Sequence, residues 1–199
     1  PTILSTRATL AEHLEHLEIH HLASLDGDLS FALLSDWADA PAERVDGDAA
    51  LLDDAVEGIA RLNSRYGPAP AGERFLLLHR KRLWNAAQGV WMGWERKRGK
   101  LHELNRLLRG ATDTTFVATG GRDPAVPADV RYVVTLDADT RVPRDAVRRL
   151  VGKMAHPLNV PRFDARRGRV LEGYAVLQPR IAPSLPIGRE GSIYQRLVS

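Results

Sequence analysis

The stretch YVVTLDADT, at residues 132–140, decides how the fold of this chain is interpreted. It begins with aromatic and β-branched residues, which favour a buried β-strand, and it ends in two carboxylates one residue apart, Asp137 and Asp139. The pattern predicts a central strand that reaches the surface at these two residues. In an open α/β sheet, ligands bind at the carboxyl ends of the strands, so this pair stands where a ligand is expected.

Asp137 and Asp139 supply hard oxygen donors, which suit Mg²⁺ or Mn²⁺ shared with substrate phosphates. The sequence therefore predicts a metal-assisted site for a nucleotide-linked substrate. A turn and a helix cap are the alternative explanation, because aspartate is common in both places. The apolar strand before the pair and the helix start after it favour the functional interpretation.

The composition is that of an ordinary globular protein. The 199 residues are 44% hydrophobic and 27% charged, which allows a sizeable core and argues against a disordered or fibrous chain. The sequence contains no cysteine, so disulfides and thiolate metal sites are excluded. No apolar run approaches the ~20 residues of a membrane-spanning helix. Because the chain starts at Pro1 without methionine, we expect it to be part of something longer.

Positive charges are clustered, although the formal net charge is only +3. Residues 80–82 and residues 96–98 both have the sequence RKR, and Lys100 follows the second cluster. Such a patch predicts an anionic partner, which could be a diphosphate, a nucleic acid or a lipid headgroup. A helix start close to these cations favours a phosphate site, and a solvated basic face is the alternative.

Helical and strand patterns alternate along most of the chain. The predicted helices lie at residues 6–22, 46–67, 101–108 and 143–156 and from about 190, and the predicted strands lie at residues 1–4, 29–34, 73–79, 114–118, 132–136 and 170–180. This alternation predicts a single α/β domain over residues 1–199, with a mainly parallel sheet and helices on its faces. Neither a dinucleotide glycine fingerprint nor a Walker loop is present, which argues against dehydrogenases and P-loop enzymes.

Two further features allow more than one interpretation. Residues 83–94 carry three of the four tryptophans without helical or strand periodicity, which predicts a loop. Its tryptophans could stack on a sugar or a base, or form a small core that fixes the loop. His13, His16 and His20 could bind zinc from one side of a helix, but their glutamate neighbours favour a solvated face.

Three stretches carry a family resemblance. They are FALLSDW at residues 31–37, GVWMGWERKRGKL at 89–101 with Asn105, and residues 133–144 together with EGYAVLQPR at 172–180. These stretches resemble inverting GT-A glycosyltransferases of the cellulose synthase type, and more closely the glycosyltransferase domain of bacterial cyclic β-1,2-glucan synthases. The resemblance implies a partial GT-A fold, incomplete at both ends, with a mostly parallel sheet and helices on both faces.

The resemblance also implies a role for individual residues. Thr2 would contact the nucleotide, and Asp36 would hold the uracil or ribose of UDP-glucose. Lys100, assisted by Arg98, would face the diphosphate. Asp39 would contribute to the same site, because Trp37 stands where the family often has a second acidic residue.

In the same comparison, Asp137 and Asp139 would hold the Mg²⁺ or Mn²⁺ ion that bridges the diphosphate. A cation and basic residues would stabilise the charge that develops on UDP as it leaves. The catalytic base and the acceptor-binding motif of the family are not recognisable before Ser199, so the catalytic residue stays unknown. We therefore expect this chain to bind nucleotide at best and not to elongate glucan by itself.

The full-length relatives are inner-membrane proteins that use UDP-glucose at the cytoplasmic face and extend a growing glucan acceptor. The resemblance implies the same location here, with flanking transmembrane segments elsewhere in the full-length protein. Two rival classes are a basic module that binds RNA or anionic lipid, and a sugar nucleotidyltransferase. The second usually has a glycine-rich loop after its first strand, and residues 3–8 contain no glycine. The order and spacing of the motifs favour the transferase, without a nucleic-acid partner.

Overall fold

The computed structural model describes residues 1–24 and 28–179. It divides into two compact units, of which the first runs from Pro1 to Arg148 and the second begins at Arg149. The single domain expected over residues 1–199 stays a prediction, and the helix expected from about residue 190 lies outside the described residues. None of the helices in the described ranges has the length and apolar character to cross a membrane.

Four helices and seven strands make up the described structure. The first unit contains β1 (Thr2–Leu4), α1 (Arg7–Leu22), β2 (Phe31–Trp37), α2 (Asp48–Tyr66), β3 (Phe75–Arg80), β4 (Leu83–Asn85), β5 (Val90–Met92) and α3 (Arg96–Leu107). Helix α4 (Ala146–Ala155) contains the boundary between the units, and the second unit has β6 (Arg162–Asp164) and β7 (Arg169–Glu172).

The core of the first unit is a parallel sheet in the order β1, β2, β3. Ser35 of β2 lies opposite Thr2 of β1 and His79 of β3, so the three carboxyl ends meet at one edge of the sheet. Helix α1 connects the first pair of strands and α2 connects the second pair. The predicted α/β class with parallel strands is therefore confirmed for these elements.

Helices pack on both faces of this sheet. Leu33 belongs to a core cluster with Leu10 and Ile59, which lie on α1 and α2. The next residue, Leu34, belongs to a second cluster with Leu104 of α3. Because successive side chains of a strand point to opposite faces, α1 and α2 cover one face of the sheet and α3 covers the other.

Local sequence explains where the first two helices begin and end. The hydroxyl of Thr6 accepts a hydrogen bond from the Thr9 amide at 3.1 Å, and the Thr9 hydroxyl accepts one from the Thr6 amide at 3.2 Å. This reciprocal pair is a capping box at the start of α1. Helix α2 buries one apolar face that includes Ala55 and Ile59. It ends at Gly67, whose φ of 70° suits glycine.

The central strand predicted at residues 132–136 is wrong. These residues have no strand pairing, and Tyr132, Val133 and Val134 are 39%, 46% and 40% exposed. β-Branched residues form a strand only where a neighbour supplies backbone hydrogen bonds and packing. Among residues 1–24 and 28–179, β1 pairs with β2 alone, so this segment does not pair with the free edge of β1 and lacks that support.

Three other predicted elements also differ from the structure. The loop at residues 83–94 is an antiparallel hairpin of β4 and β5, in which Trp84 lies opposite Trp91. The strand at 114–118 is reduced to a bridge between Phe116 and Arg80. Among the described residues, the strand at 170–180 is shortened to β7, which pairs with β6. Strands of three or four residues are too short to show a hydrophobic period.

Candidate functional site

Four charged side chains are buried where β2 and β3 end against α3. The guanidinium of Arg80 contacts both carboxylate oxygens of Asp36, at 2.7 and 3.0 Å, and Glu103 at 2.9 Å. Lys100 Nζ lies 3.1 Å from Asp36 Oδ2 and donates to the Thr2 carbonyl oxygen at 2.5 Å. Two cations and two anions compensate each other, which makes their burial tolerable.

The environment of this cluster acts differently on its two cations. Burial lowers the pKa of Lys100, and the Asp36 carboxylate opposes that effect. Burial also acts to lower the pKa of Arg80, but the hydrogen bonds and charges of Asp36 and Glu103 outweigh it and raise the pKa. Arg80 therefore remains charged, and it holds the end of the sheet to α3 through carboxylates on both sides.

The structure brings three of the predicted nucleotide-sugar residues together, namely Thr2, Asp36 and Lys100. Asp39 is instead bonded to Arg96, with Nη2 and Oδ2 2.7 Å apart. Arg98 has an 81% exposed side chain and pairs with Glu95 at 2.6 Å.

Asp137 and Asp139 are exposed and lie in a turn. The Lys97 ammonium contacts Asp137 Oδ1 at 2.5 Å, and this contact lowers the pKa of Asp137. His16 of α1 donates from Nδ1 to the carbonyl oxygen of Ala138 at 2.9 Å. The acidic turn is therefore attached to α3 on one side and to α1 on the other, rather than ending a buried strand.

The acidic turn and the buried cluster are connected through α3. Its Lys97 contacts Asp137, and its Lys100 donates to the Thr2 carbonyl oxygen. His13 also bonds to the side chain of Thr2. Residues from β1, β2, α3 and the turn at 137–140 therefore surround one edge of the sheet, as their parallel order predicts.

The donor chemistry of the turn limits the metal it could hold. Residues 1–24 and 28–179 contain no group of three or more His, Asp or Glu side chains able to hold a metal ion. Asp137 and Asp139 offer carboxylate oxygens alone, which suits a cation completed by phosphate oxygens and water. His13 and His16 bond to Thr2 and Ala138, so they do not form the zinc site considered from the sequence.

Sequence reasoning missed Arg80 and Glu103, which hold the cluster together. The sequence predicts a cationic patch that includes Arg80, but this side chain is fully buried. Two periodic signals were available. Arg80 follows Leu78 at strand spacing, and Glu103 shares a helix face with Lys100 and Leu104.

His79 was also missed as a buried polar residue. Its Nδ1 forms a hydrogen bond of 2.9 Å with the Ser35 hydroxyl, and its ring packs edge-on against Trp37. Burial lowers its pKa from 6.5 to about 4, in spite of the opposing charge of Asp36. The imidazole is therefore neutral at pH 7 and belongs to the core that supports the site.

Comparison with known proteins identifies what this sequence is similar to. No family model matches the chain. Over 197 residues it is 51% identical to the cyclic β-(1,2)-glucan synthase NdvB of Rhizobium meliloti (strain 1021), a match that covers 99% of this chain. The chain spans 7% of the length of that relative. The resemblance to bacterial cyclic β-1,2-glucan synthases that the motifs indicate is thereby confirmed over nearly the whole length of the chain.

Proposed function

We propose that this chain is the donor-binding part of a glycosyltransferase that builds β-1,2-glucan, with UDP-glucose as the donor and a growing glucan as the acceptor. The observation that carries the proposal is the 51% identity over 99% of the chain to a cyclic β-(1,2)-glucan synthase. A parallel sheet with helices on both faces supports a partial GT-A-like domain. The full-length protein would act at the cytoplasmic face of the bacterial inner membrane.

The residues at the sheet edge suit a nucleoside diphosphate sugar. Lys97 brings an exposed ammonium group to this edge, and buried Lys100 would have to leave the Thr2 carbonyl oxygen to face a diphosphate. The amino acids that would hold Mg²⁺ or Mn²⁺ are Asp137 and Asp139, and the ion would neutralise the charge on departing UDP. For Asp137 to take part, Lys97 must leave its carboxylate and become free to donate to a phosphate oxygen.

Asp36 has a supporting role in this proposal. Both of its oxygens are bonded to Arg80, and Lys100 lies 3.1 Å from one of them. Direct contact with uracil or ribose would use the remaining acceptor capacity of the carboxylate. Asp36 therefore holds Lys100 at the sheet edge, and its contact with the nucleotide remains a prediction.

The burial of basic residues argues against a nucleic-acid partner. Arg80 and Arg82 belong to the first basic cluster, yet both are buried. Arg82 donates to the Ala38 carbonyl oxygen at 2.7 Å and pairs with Asp48 at 2.5 Å. These two cations support the structure and are not available to neutralise phosphates along a nucleic-acid strand.

Calorimetric titration tests the proposed function. UDP and UDP-glucose are titrated into the 199-residue chain with and without Mn²⁺, beside Asp139→Ala and the control Asp123→Ala, which removes an exposed loop carboxylate. We expect Mn²⁺-dependent binding that weakens about tenfold or more in Asp139→Ala, equivalent to ~1.4 kcal/mol, and is unchanged in the control. Binding that changes neither with the metal nor with Asp139→Ala would contradict the assignment of Asp137 and Asp139 as metal ligands. Robust UDP-glucose turnover by this chain alone would contradict its expected inactivity.

A further inference from the structure

A groove between the β4–β5 hairpin and the start of α3 has no role in the proposed function. It is open to solvent and has a volume of about 420 Å³, within the ~300–1,000 Å³ typical of small-ligand sites. Two tryptophan rings line it, Trp84 with 52% exposure and Trp94 with 44%. Exposed rings of this size beside polar side chains mark a surface that can cover an apolar ligand face.

Planar hydrogen-bonding groups surround these rings. The groove is also lined by Asn85, Gln88, Glu95 and Arg96. Amide, carboxylate and guanidinium groups provide both donors and acceptors, as an array of hydroxyl groups requires. Glu95 and Arg96 carry opposite charges, so the lining has no excess of positive charge for a phosphate. A neutral polyhydroxylated ring with apolar C–H faces fits this combination.

The backbone beside the groove is held in an unfavourable conformation. Glu95 and Arg96 have φ values of 51° and 47°, a left-handed region that is unfavourable for residues with a side chain. Buried Arg80 donates to the carbonyl oxygens of Trp94 and Arg96, both at 3.1 Å. The Arg96 amide donates to Gly93 at 3.0 Å. The ion cluster thus fixes a strained turn that presents Trp94 and Arg96 to the groove.

Gly93 is required for this arrangement. A Cβ atom at position 93 would lie 2.7 Å from the Asp36 carboxylate and 3.0 Å from Arg80 Nη2. Arg96 is further oriented by Asp39 at 2.7 Å and by Gln88 at 3.2 Å. The side chains at the groove are therefore held by residues on several elements, which preorganises the surface for a ligand.

We propose that this groove binds a glucose unit of a β-linked glucan chain. Tryptophan rings cover the C–H faces of the sugar, and the amide and charged groups bond its hydroxyls. The choice of glucose as the sugar rests on the proposed function. The groove is thus a subsite for the neutral glucan, and its lining residues are not used in the UDP-glucose assignment. Asp39 is the one residue shared by the two proposals, because it orients Arg96.

The probe for this test is sophorose, the β-1,2-linked disaccharide of glucose. It is titrated into the 199-residue chain in EDTA without nucleotide, and binding is followed by ligand-observed NMR. We expect saturable millimolar binding, which Trp84→Ala weakens about tenfold or more through loss of the stacking surface. The control Phe163→Ala removes an exposed aromatic ring of the β6–β7 hairpin and leaves the affinity unchanged.

Gln88→Ala decides the question if Trp84→Ala fails to fold. Gln88 is exposed and its side chain accepts a hydrogen bond from Arg96, so its truncation should weaken sophorose binding severalfold without lowering the unfolding midpoint. The proposal is overturned if sophorose shows no saturable binding, if both folded variants bind it like the parent, or if uridine binds in its place. The conditions exclude metal and nucleotide, so this result is independent of the UDP titration.

Discussion

Arg80 connects the sheet, helix α3 and the tryptophan groove through contacts to four residues. Its guanidinium reaches two carboxylates and two backbone carbonyls, and none of it is exposed to solvent. A charge buried so completely depends on every partner, because loss of one leaves part of the desolvation cost uncompensated. This dependence makes Arg80 and its carboxylate partners the most sensitive positions of the first unit.

Glu103→Ala should therefore destabilise the chain strongly. The substitution removes one of the two carboxylates of Arg80 and should lower the free energy of unfolding by on the order of 3 kcal/mol. The control is Glu73→Ala, which breaks an exposed pair with Arg122 and should cost less than about 1 kcal/mol. Urea denaturation of both variants measures the difference, and equal losses would show that the buried cluster is not a special source of stability.

His79 should make stability depend on pH. Its pKa is about 4 in the folded chain and 6.5 without burial, so below pH 6.5 the unfolded chain takes up a proton that the folded chain does not. Stability contributed by neutral His79 is present above pH 6.5 and is lost as the pH falls towards 4. The loss should be on the order of 3 kcal/mol.

His79→Phe isolates this contribution. The variant keeps a ring beside Trp37 but cannot titrate, so its free energy of unfolding should fall less steeply between pH 6.5 and 4 than that of the parent. Other histidines with lowered pKa values, among them His13 and His20, affect parent and variant equally. Parallel pH profiles from urea denaturation would mean that His79 does not remain neutral in the folded chain.

At the scale of elements, two helical glycines should respond in opposite directions to alanine. A Cβ at Gly99 in α3 would lie 2.0 Å from the Trp94 carbonyl oxygen, whereas a Cβ at Gly152 in α4 meets nothing within 4 Å. Gly99→Ala should destabilise the chain by about 2 kcal/mol because backbone must move. Gly152→Ala should be neutral or stabilising by up to ~1 kcal/mol. Thermal unfolding compares them, and a neutral Gly99→Ala would contradict the packing of α3 against the turn.

Elements with local signals were predictable from the sequence. Helix α1 has leucines at helical spacing and a capping residue, helix α2 has an amphipathic face and ends at a glycine, and β2 and β3 are apolar runs bounded by turns. Residues 132–136 have the same local signal as a buried strand, but strand formation depends on a partner elsewhere in the chain. The β4–β5 hairpin was missed for the opposite reason, because its two strands have three residues each and depend on cross-strand pairs such as Trp84 and Trp91.

At the scale of the whole molecule, the proposed site depends on residues far apart in the sequence. Topology made the proximity of Thr2 and Asp36 predictable, because parallel strands present their carboxyl ends at one edge, whereas the place of Lys100 was implied by the family resemblance. The Lys97–Asp137 contact and the burial of Arg80 were not predictable, because each depends on how α3 packs. The account therefore requires an exposed acidic turn, not the end of a buried strand, to face the nucleotide.

Paramagnetic broadening of backbone amide NMR signals by Mn²⁺ in the presence of UDP tests this claim most directly. We predict that the amides of Ala138 and Thr140 broaden first, together with those of Thr2 and Lys100, whereas the amide of Gly67 at the opposite edge of the sheet stays sharp. Asp139→Ala should abolish this pattern. Selective broadening elsewhere, with the signals of residues 137–140 unchanged, would contradict the account.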